Sequence, residues 1–195
     1  MRSIISFWFM VLFASSVFGF PYHVEQDVLD EVVFNQTRYE NQPTDNEVMF
    51  DLAMSYAYSG QILKGWNLLK TIPKEYADTV IVTYEKLMSE DESEWRYPFK
   101  CAFGYFFVGN KAHAITLFHR VIDINPQQVW AYGFIALIYG EMGQVEKALE
   151  WCEKGLVVEP RATAIHFLMA EAYRKQKKYY LAFKKLLFVG RLQSL

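Results

Sequence analysis

Two cysteines and four histidines are the side chains of this 195-residue chain best suited to nucleophilic or metal chemistry. Cys101 and Cys152 stand far apart in apolar, helix-like sequence, without the CxxC spacing that holds a zinc ion or a redox pair. Buried free thiols are the expectation, with a bridge between them as the alternative. His23, His113, His119 and His166 have no second His, Cys or carboxylate at ligand spacing on one helix face. Cys152 with a distant histidine is the one arrangement that could be nominated as nucleophile and base. That role needs a stabilised thiolate, whereas an apolar helical setting is that of an inert core thiol. The chain has no glycine-rich phosphate loop, no Gly-x-Ser-x-Gly elbow and no carboxylates that a helical reading pairs in a cleft. The expectation is therefore no enzyme, no cofactor and no metal.

Elements that position side chains for contact are plentiful. Apolar residues make up 52% of the chain and aromatics 17%, enough for a substantial core and too much for a disordered linker. The net charge of −2 argues against a nucleic-acid binder, but it hides a strong asymmetry. Residues 23–94 hold 15 acids and 5 bases, whereas residues 95–195 hold 7 and 14. At the start, Arg2 precedes an uncharged, mostly apolar run at residues 4–20 that ends in Ser15, Ser16, Val17, Phe18 and Gly19. This is the order of an export signal with cleavage before Phe20. A retained membrane anchor is the alternative, because about seventeen uncharged residues reach the lower limit for spanning a bilayer. Asn35, Gln36 and Thr37 have the form of a glycosylation acceptor, a triplet that arises often by chance.

Internal repetition organises the rest. Residues 95–128, 129–162 and 163–195 fall into a 34-residue register. Position 8 is small (Ala102, Ala136, Ala170), position 11 is tyrosine (Tyr105, Tyr139, Tyr173) and position 20 is alanine (Ala114, Ala148, Ala182). Pro126 and Pro160 occupy position 32. Small residues at 8 and 20 let two antiparallel helices approach, and proline ends the second because it cannot continue the hydrogen-bond ladder. Gly109 and Gly143 mark the turn between helices, and Lys177 takes that place in the last block. A degenerate copy begins at Asn46 and keeps Met49, Leu52, Ala53, Tyr56, Gly60 and Leu69, but has Gly65 at position 20 and an early Pro73. Thr44, Asp45, Asn46 and Glu47 supply N-capping chemistry before it.

On these residues the chain resembles the tetratricopeptide repeat family. That family's pattern is an aromatic at 4, Leu-Gly at 7 and 8, Tyr at 11, Ala at 20, an aromatic at 24 and Pro at 32. The match is fullest at Tyr132, Ile135, Ala136, Tyr139, Gly143, Ala148 and Pro160. The aromatic columns are only partly kept: position 4 is Pro98, Tyr132 and His166, and position 24 is Phe118, Cys152 and Leu186.

The resemblance implies an all-α, right-handed superhelical solenoid of antiparallel helix pairs, with three to four repeats behind an N-terminal capping segment. The expected division is a leader or anchor at 1–19, a cap at 20–45, a degenerate repeat at 46–79, an insertion at 80–94, and repeats at 95–128, 129–162 and 163–195. Residues 77–88 of the surplus are expected to form a further helix. The acidic stretch 89–94 (Ser-Glu-Asp-Glu-Ser-Glu) is expected to be a solvated loop, on an insertion that protrudes from one face.

The resemblance also implies a concave groove lined by positions 2, 5, 9, 12 and 13. These place Phe50, Met54 and Tyr58, then Phe99, Phe103, Phe106 and Phe107, then Trp130 and Leu137, and finally Phe167 and Arg174 along it. That groove is aromatic. The Lys and Asn of the family's carboxylate clamp are replaced by Phe99 and Phe103 in one repeat, and by Gly133 and Leu137 in the next. An apolar or amphipathic segment of a protein partner is the expected occupant, with several of these rings being core, or covered by the chain's own N-terminal segment, as the alternative.

A second expectation is a homo-oligomer. Leu181, Phe183, Leu186, Leu187, Phe188, Val189 and Leu192 load the last helix with apolar residues and no polar capping helix follows in the sequence. Arg174, Lys175, Lys177, Lys178, Lys184, Lys185 and Arg191 surround that end. A solvated basic face is the expectation, with contact to an anionic membrane or to the acidic half of another copy as the alternatives.

Overall fold

The computed structural model of the protein describes residues 24–193, with side chains to residue 189. The leader expected at 1–19 lies outside the described residues. Ten helices follow: α1 (Gln26–Asn41), α2 (Asn46–Tyr58), α3 (Ile62–Leu69), α4 (Tyr76–Glu90), α5 (Arg96–Phe107), α6 (Lys111–Ile124), α7 (Val129–Glu141), α8 (Val145–Val158), α9 (Thr163–Lys175) and α10 (Tyr179–Gln193). Packing runs mainly between neighbours in sequence, with α7 also meeting α9, which is the order of a solenoid. The fold is the all-α array of helix pairs that the register implies.

Every repeat turns by the same chemistry. Gly60, Gly109 and Gly143 take φ values of 79°, 85° and 75°. The amide after each glycine donates back to a tyrosine carbonyl: Gln61 to Tyr56 at 2.8 Å, Asn110 to Tyr105 at 2.9 Å and Gln144 to Tyr139 at 2.9 Å. This is a Schellman closure, in which a left-handed residue lets the chain satisfy the last carbonyls of the helix. The fourth turn repeats it, with Lys178 donating to Tyr173 at 2.9 Å. There Lys177 holds φ at 59°, where a Cβ crowds the following carbonyl.

Two departures from the repeat pattern keep its physics. Ala102, Ala136 and Ala170 and their partners Ala114, Ala148 and Ala182 are all buried. In the degenerate repeat a Cβ on Gly65 would lie 2.6 Å from the Ala53 carbonyl oxygen, so glycine permits an even closer approach of α3 to α2. At position 4, the Tyr132 hydroxyl donates to the carbonyl of Pro126 at 3.2 Å, and His166 uses Nε2–H to reach the carbonyl of Pro160 at 2.8 Å. Histidine thus makes the tyrosine's bond.

The cap and the insertion are both packed elements. Asp45 caps α2 by accepting from the amides of Glu47 and Val48. Asn35, the residue of the acceptor-like triplet, is buried in α1 and donates toward Ser55 and the Asp51 carbonyl. In the surplus segment, Ala77, Val80, Tyr84 and Met88 form one buried stripe of α4. A Cβ on Gly104 would meet Ile81 Cγ1 at 2.8 Å and the Ala77 carbonyl at 3.2 Å, so the α5 backbone lies directly on α4. The expected protrusion is therefore corrected to an integrated helix, and the boundary between residues 79 and 80 falls inside it. The stripe's helical spacing is the reason: left outside, it would expose an apolar face.

Two substitutions should move stability in opposite directions. Lys177→Gly should stabilise by about 1 kcal/mol by relieving the left-handed strain, whereas Gly65→Ala should destabilise through the clash with Ala53. Thermal melts followed by circular dichroism read both, and equal shifts of one sign would refute this account of the turns.

Candidate functional site

The most concentrated chemistry in the molecule is an ionic cluster joining four helices. Lys100 of α5 brings its Nζ within 2.8 Å of Asp51 Oδ1 on α2 and 4.0 Å of Glu31 Oε1 on α1. Asp51 also accepts from Arg38 of α1 at 2.9 Å and from the Tyr84 hydroxyl of α4 at 3.1 Å. Glu31 accepts from the Tyr58 hydroxyl at 2.8 Å and from Arg96 Nε at 2.7 Å, while Arg96 reaches Asp27 at 2.6 Å and Glu94 at 3.3 Å.

Burial opposes ionisation of Asp51, but Lys100, with the bonds from Arg38 and Tyr84, outweighs it and holds the carboxyl below its usual range. Burial likewise works against the Lys100 ammonium, and the facing carboxylates reverse this, so it stays charged. Tyr58 and Tyr84 are both pushed up by burial and by the adjacent acids, so both hydroxyls remain donors. Each group has its hydrogen-bond partners and none is aimed at open space as a catalytic base would be. The cluster is a latch. Sequence reading missed it, although the acidic first part and basic second part of the chain were its signal.

The latch determines where the expected groove residues lie. Tyr58, bonded to Glu31, packs edge-on against Trp95 and Phe99. Phe99 is fully buried and meets Phe103, Phe118 and Phe134. Phe50 packs against Tyr76 and Tyr84 of α4, and Met54 is 0% exposed. Trp130 and Leu137 are buried on α7, a helix covered on every side from Val129 to Ile138. An open aromatic groove through Met54, Tyr58, Phe99, Phe103, Trp130 and Leu137 is thus corrected to core: these rings fill space between repeats. Phe106, Phe107 and Phe167 are half-buried, and Arg174 is exposed and paired with Glu171 at 2.6 Å.

An accessible apolar site does exist, where the surplus segment leaves α3 and returns as α4. A cavity of about 240 Å³ is bounded by Phe50, Trp66, Leu69, Ile72, Pro73, Tyr76, Ala77, Val80, Gly104 and Phe107, with Lys70 and Lys74 contributing charge. Trp66 and Phe107 stack at 6.0 Å to form one wall. Two residues of the expected groove, Phe50 and Phe107, therefore line a cleft together.

Both thiols are buried, His119 and His166 are packed within the array, His113 is exposed, and His23 lies outside the described residues. Cys101 and Cys152 are free and buried, and burial pushes both thiols up to about 12, far from thiolate at neutral pH. His119 packs on Trp151, and burial holds it below its ordinary range. Among the described residues no group of three or more His, Cys, Asp or Glu is placed to hold a metal ion, and no helix is long and apolar enough to cross a membrane.

Comparison with known proteins agrees with this architecture. Residues 131–160 match the tetratricopeptide repeat family profile. No curated protein matches the sequence. Among solved structures, a crystal structure of MamA aligns with a TM-score of 0.58 at 18% identity, covering 89% of this chain and 97% of its own. A second MamA crystal structure aligns at 0.56 and 19%, covering 86% and 84%. MamA residues 41 to the end from Desulfovibrio magneticus RS-1 aligns at 0.52 and 13%, covering 87% of each. Identities this low carry the fold alone.

The latch generates a quantitative expectation. Lys100→Met should cost about 3–5 kcal/mol at neutral pH, because it leaves Asp51 and Glu31 buried with fewer partners. The folded carboxyl of Asp51 is depressed, so its contribution is present above ~4 and lost as pH falls through the folded value. Urea unfolding should therefore show the gap between wild type and Lys100→Met narrowing in acid. A pH-independent gap would refute the electrostatic account.

Proposed function

We propose that this chain, a tetratricopeptide repeat protein, is a non-catalytic scaffold that holds another polypeptide by an apolar side chain set among acidic residues. The observation that carries the reading is the cleft between α3, α4 and α5: aromatic walls, a floor opened by Gly104, and Lys70 and Lys74 beside it. Apolar pockets with a few polar groups are where ligands and anchor residues seat, and the two ammonium groups favour an anchor with acidic neighbours. This deepens the aromatic-groove expectation while moving its centre to Phe50 and Phe107.

The leader-like run at residues 4–20 supports an exported compartment for the scaffold, periplasmic or secreted. A polypeptide partner there also suits a groove that lacks the carboxylate-clamp residues. Sequencing the amino terminus of the exported protein should find a start near Phe20. An intact Met1 would overturn the cleavage part of the reading and leave the anchor alternative.

The cleft is tested by variants on its wall and beside it. Lys70→Glu with Lys74→Glu, both exposed positions, should lower recovery of the native partner at least tenfold, roughly 1.4 kcal/mol or more. Phe107→Ala should do the same by removing an anchor wall. Recovery is read by mass spectrometry after affinity capture from the native envelope fraction, with helicity checked by circular dichroism. Unchanged recovery with both well-folded variants would overturn the assignment of the cleft.

A further inference from the structure

The two ends of the solenoid carry complementary faces. At the C-terminal end, α10 turns Ala182 and Val189 into the array and leaves Tyr180, Phe183 and Leu187 exposed at 75%, 58% and 48%. Their i, i+3, i+7 spacing makes one continuous stripe, with Phe188 exposed beside it. Lys178 and Lys184 are exposed at the same end, so the stripe is basic as well as apolar. At the N-terminal end, α1 buries Val28, Val32 and Asn35 and exposes Val33 and Phe34, each at 62%. The exposed charges on that helix are acidic: Asp30 lies one turn before Phe34 and Glu40 follows near the helix end.

We propose that the α10 face of one copy docks onto the α1 face of the next, so that the protein associates with itself head to tail. The occupant of the α10 stripe is a second copy because the opposite end of the same molecule offers what the stripe lacks: an apolar pair with the exposed acids Asp30 and Glu40 near it, the Arg38 guanidinium over Phe34 being already paired with Asp51 at 2.9 Å. Helix stacks on helix throughout this array, so the apolar stripe that α10 leaves exposed is a surface on which a further helix can pack. In this assembly α1 of the neighbour takes that place. The contact is heterologous, so it propagates into a ring or an open filament and does not stop at a two-fold dimer. It does not depend on the cleft between α3, α4 and α5, which lies on neither face.

The decisive experiment uses two end-blocked variants of the full chain. Phe183→Glu with Leu187→Glu disables the α10 face, and Val33→Lys with Phe34→Lys disables the α1 face. All four are exposed positions, and circular dichroism verifies that each variant keeps its helicity. Light scattering coupled to size exclusion should find wild type growing in mass with concentration and shrinking with added salt. Each variant alone should be monomeric, and a mixture of the two should give a 1:1 heterodimer and nothing larger, since only one competent pair of faces remains. A charge exchange, Asp30→Lys against Lys184→Glu, should restore association between copies that each single change weakens.

Monomeric wild type at high concentration would overturn the proposal. So would a variant blocked at α1 that still self-associates, because that outcome assigns the interface to two α10 faces. Wild type that stays monomeric and floats with anionic vesicles would instead assign the basic stripe to a membrane surface.

Discussion

A lysine ammonium taken out of water must be met by carboxylates or given up, and this fold meets it. Lys100 sits on the helix that begins the well-kept repeats, and the acids that face it come from elsewhere: Asp51 from α2 and Glu31 from α1. Tyr84 of α4 supplies a further bond to Asp51. Satisfying one charge therefore fixes four helices at once. The N-terminal cap is pinned by ion pairs as well as by apolar contact, and the surplus helix becomes part of the core. Breaking such a cluster at one partner leaves the others buried and uncompensated, which makes it a strong constraint on register whatever its net contribution to stability.

The remainder of the array depends on weaker, repeated devices that lie close together in sequence, and these were the legible part. A tyrosine carbonyl closed by an amide five residues on, a left-handed residue between them and small residues at 8 and 20 are local signals. Their meaning survives substitution. Gly65 interrupts the alanine column yet permits the same contact more tightly. His166 interrupts the aromatic column yet donates to the Pro160 carbonyl as Tyr132 does to that of Pro126. Lys177 replaces glycine and is forced into the same turn. What reads as decay in letters is retention in geometry.

The candidate site was much less legible. The register assigns Phe99, Phe103 and Trp130 to the inner side of their helices, but it carries no information on what lies opposite. Here successive aromatic rows are close enough to pack on one another. Phe99 contacts rings from four other helical positions and has no exposed surface. The pairing of Arg96 with Asp27 spans 69 residues and leaves only a charge imbalance as its trace. The accessible cleft arises where α3 is cut short and α4 begins, an irregularity that a repeat pattern treats as surplus.

The all-apolar surface of α7 bears on how the chain is made. During synthesis from the amino terminus, α7 emerges with α5 and α6 already available to Phe134 but with α8 and α9 still unmade, so the side of its ten-residue buried segment that those later helices cover faces solvent until they arrive. The latch lies wholly upstream and offers it nothing. The nascent chain therefore passes through a stage in which its first half is closed by charge and its middle is covered on one side only. Apolar surface exposed at such a stage is prone to aggregation. The interval between translation of α7 and of α9 thus sets how long that side stays uncovered, a quantity that no contact of the finished array alters.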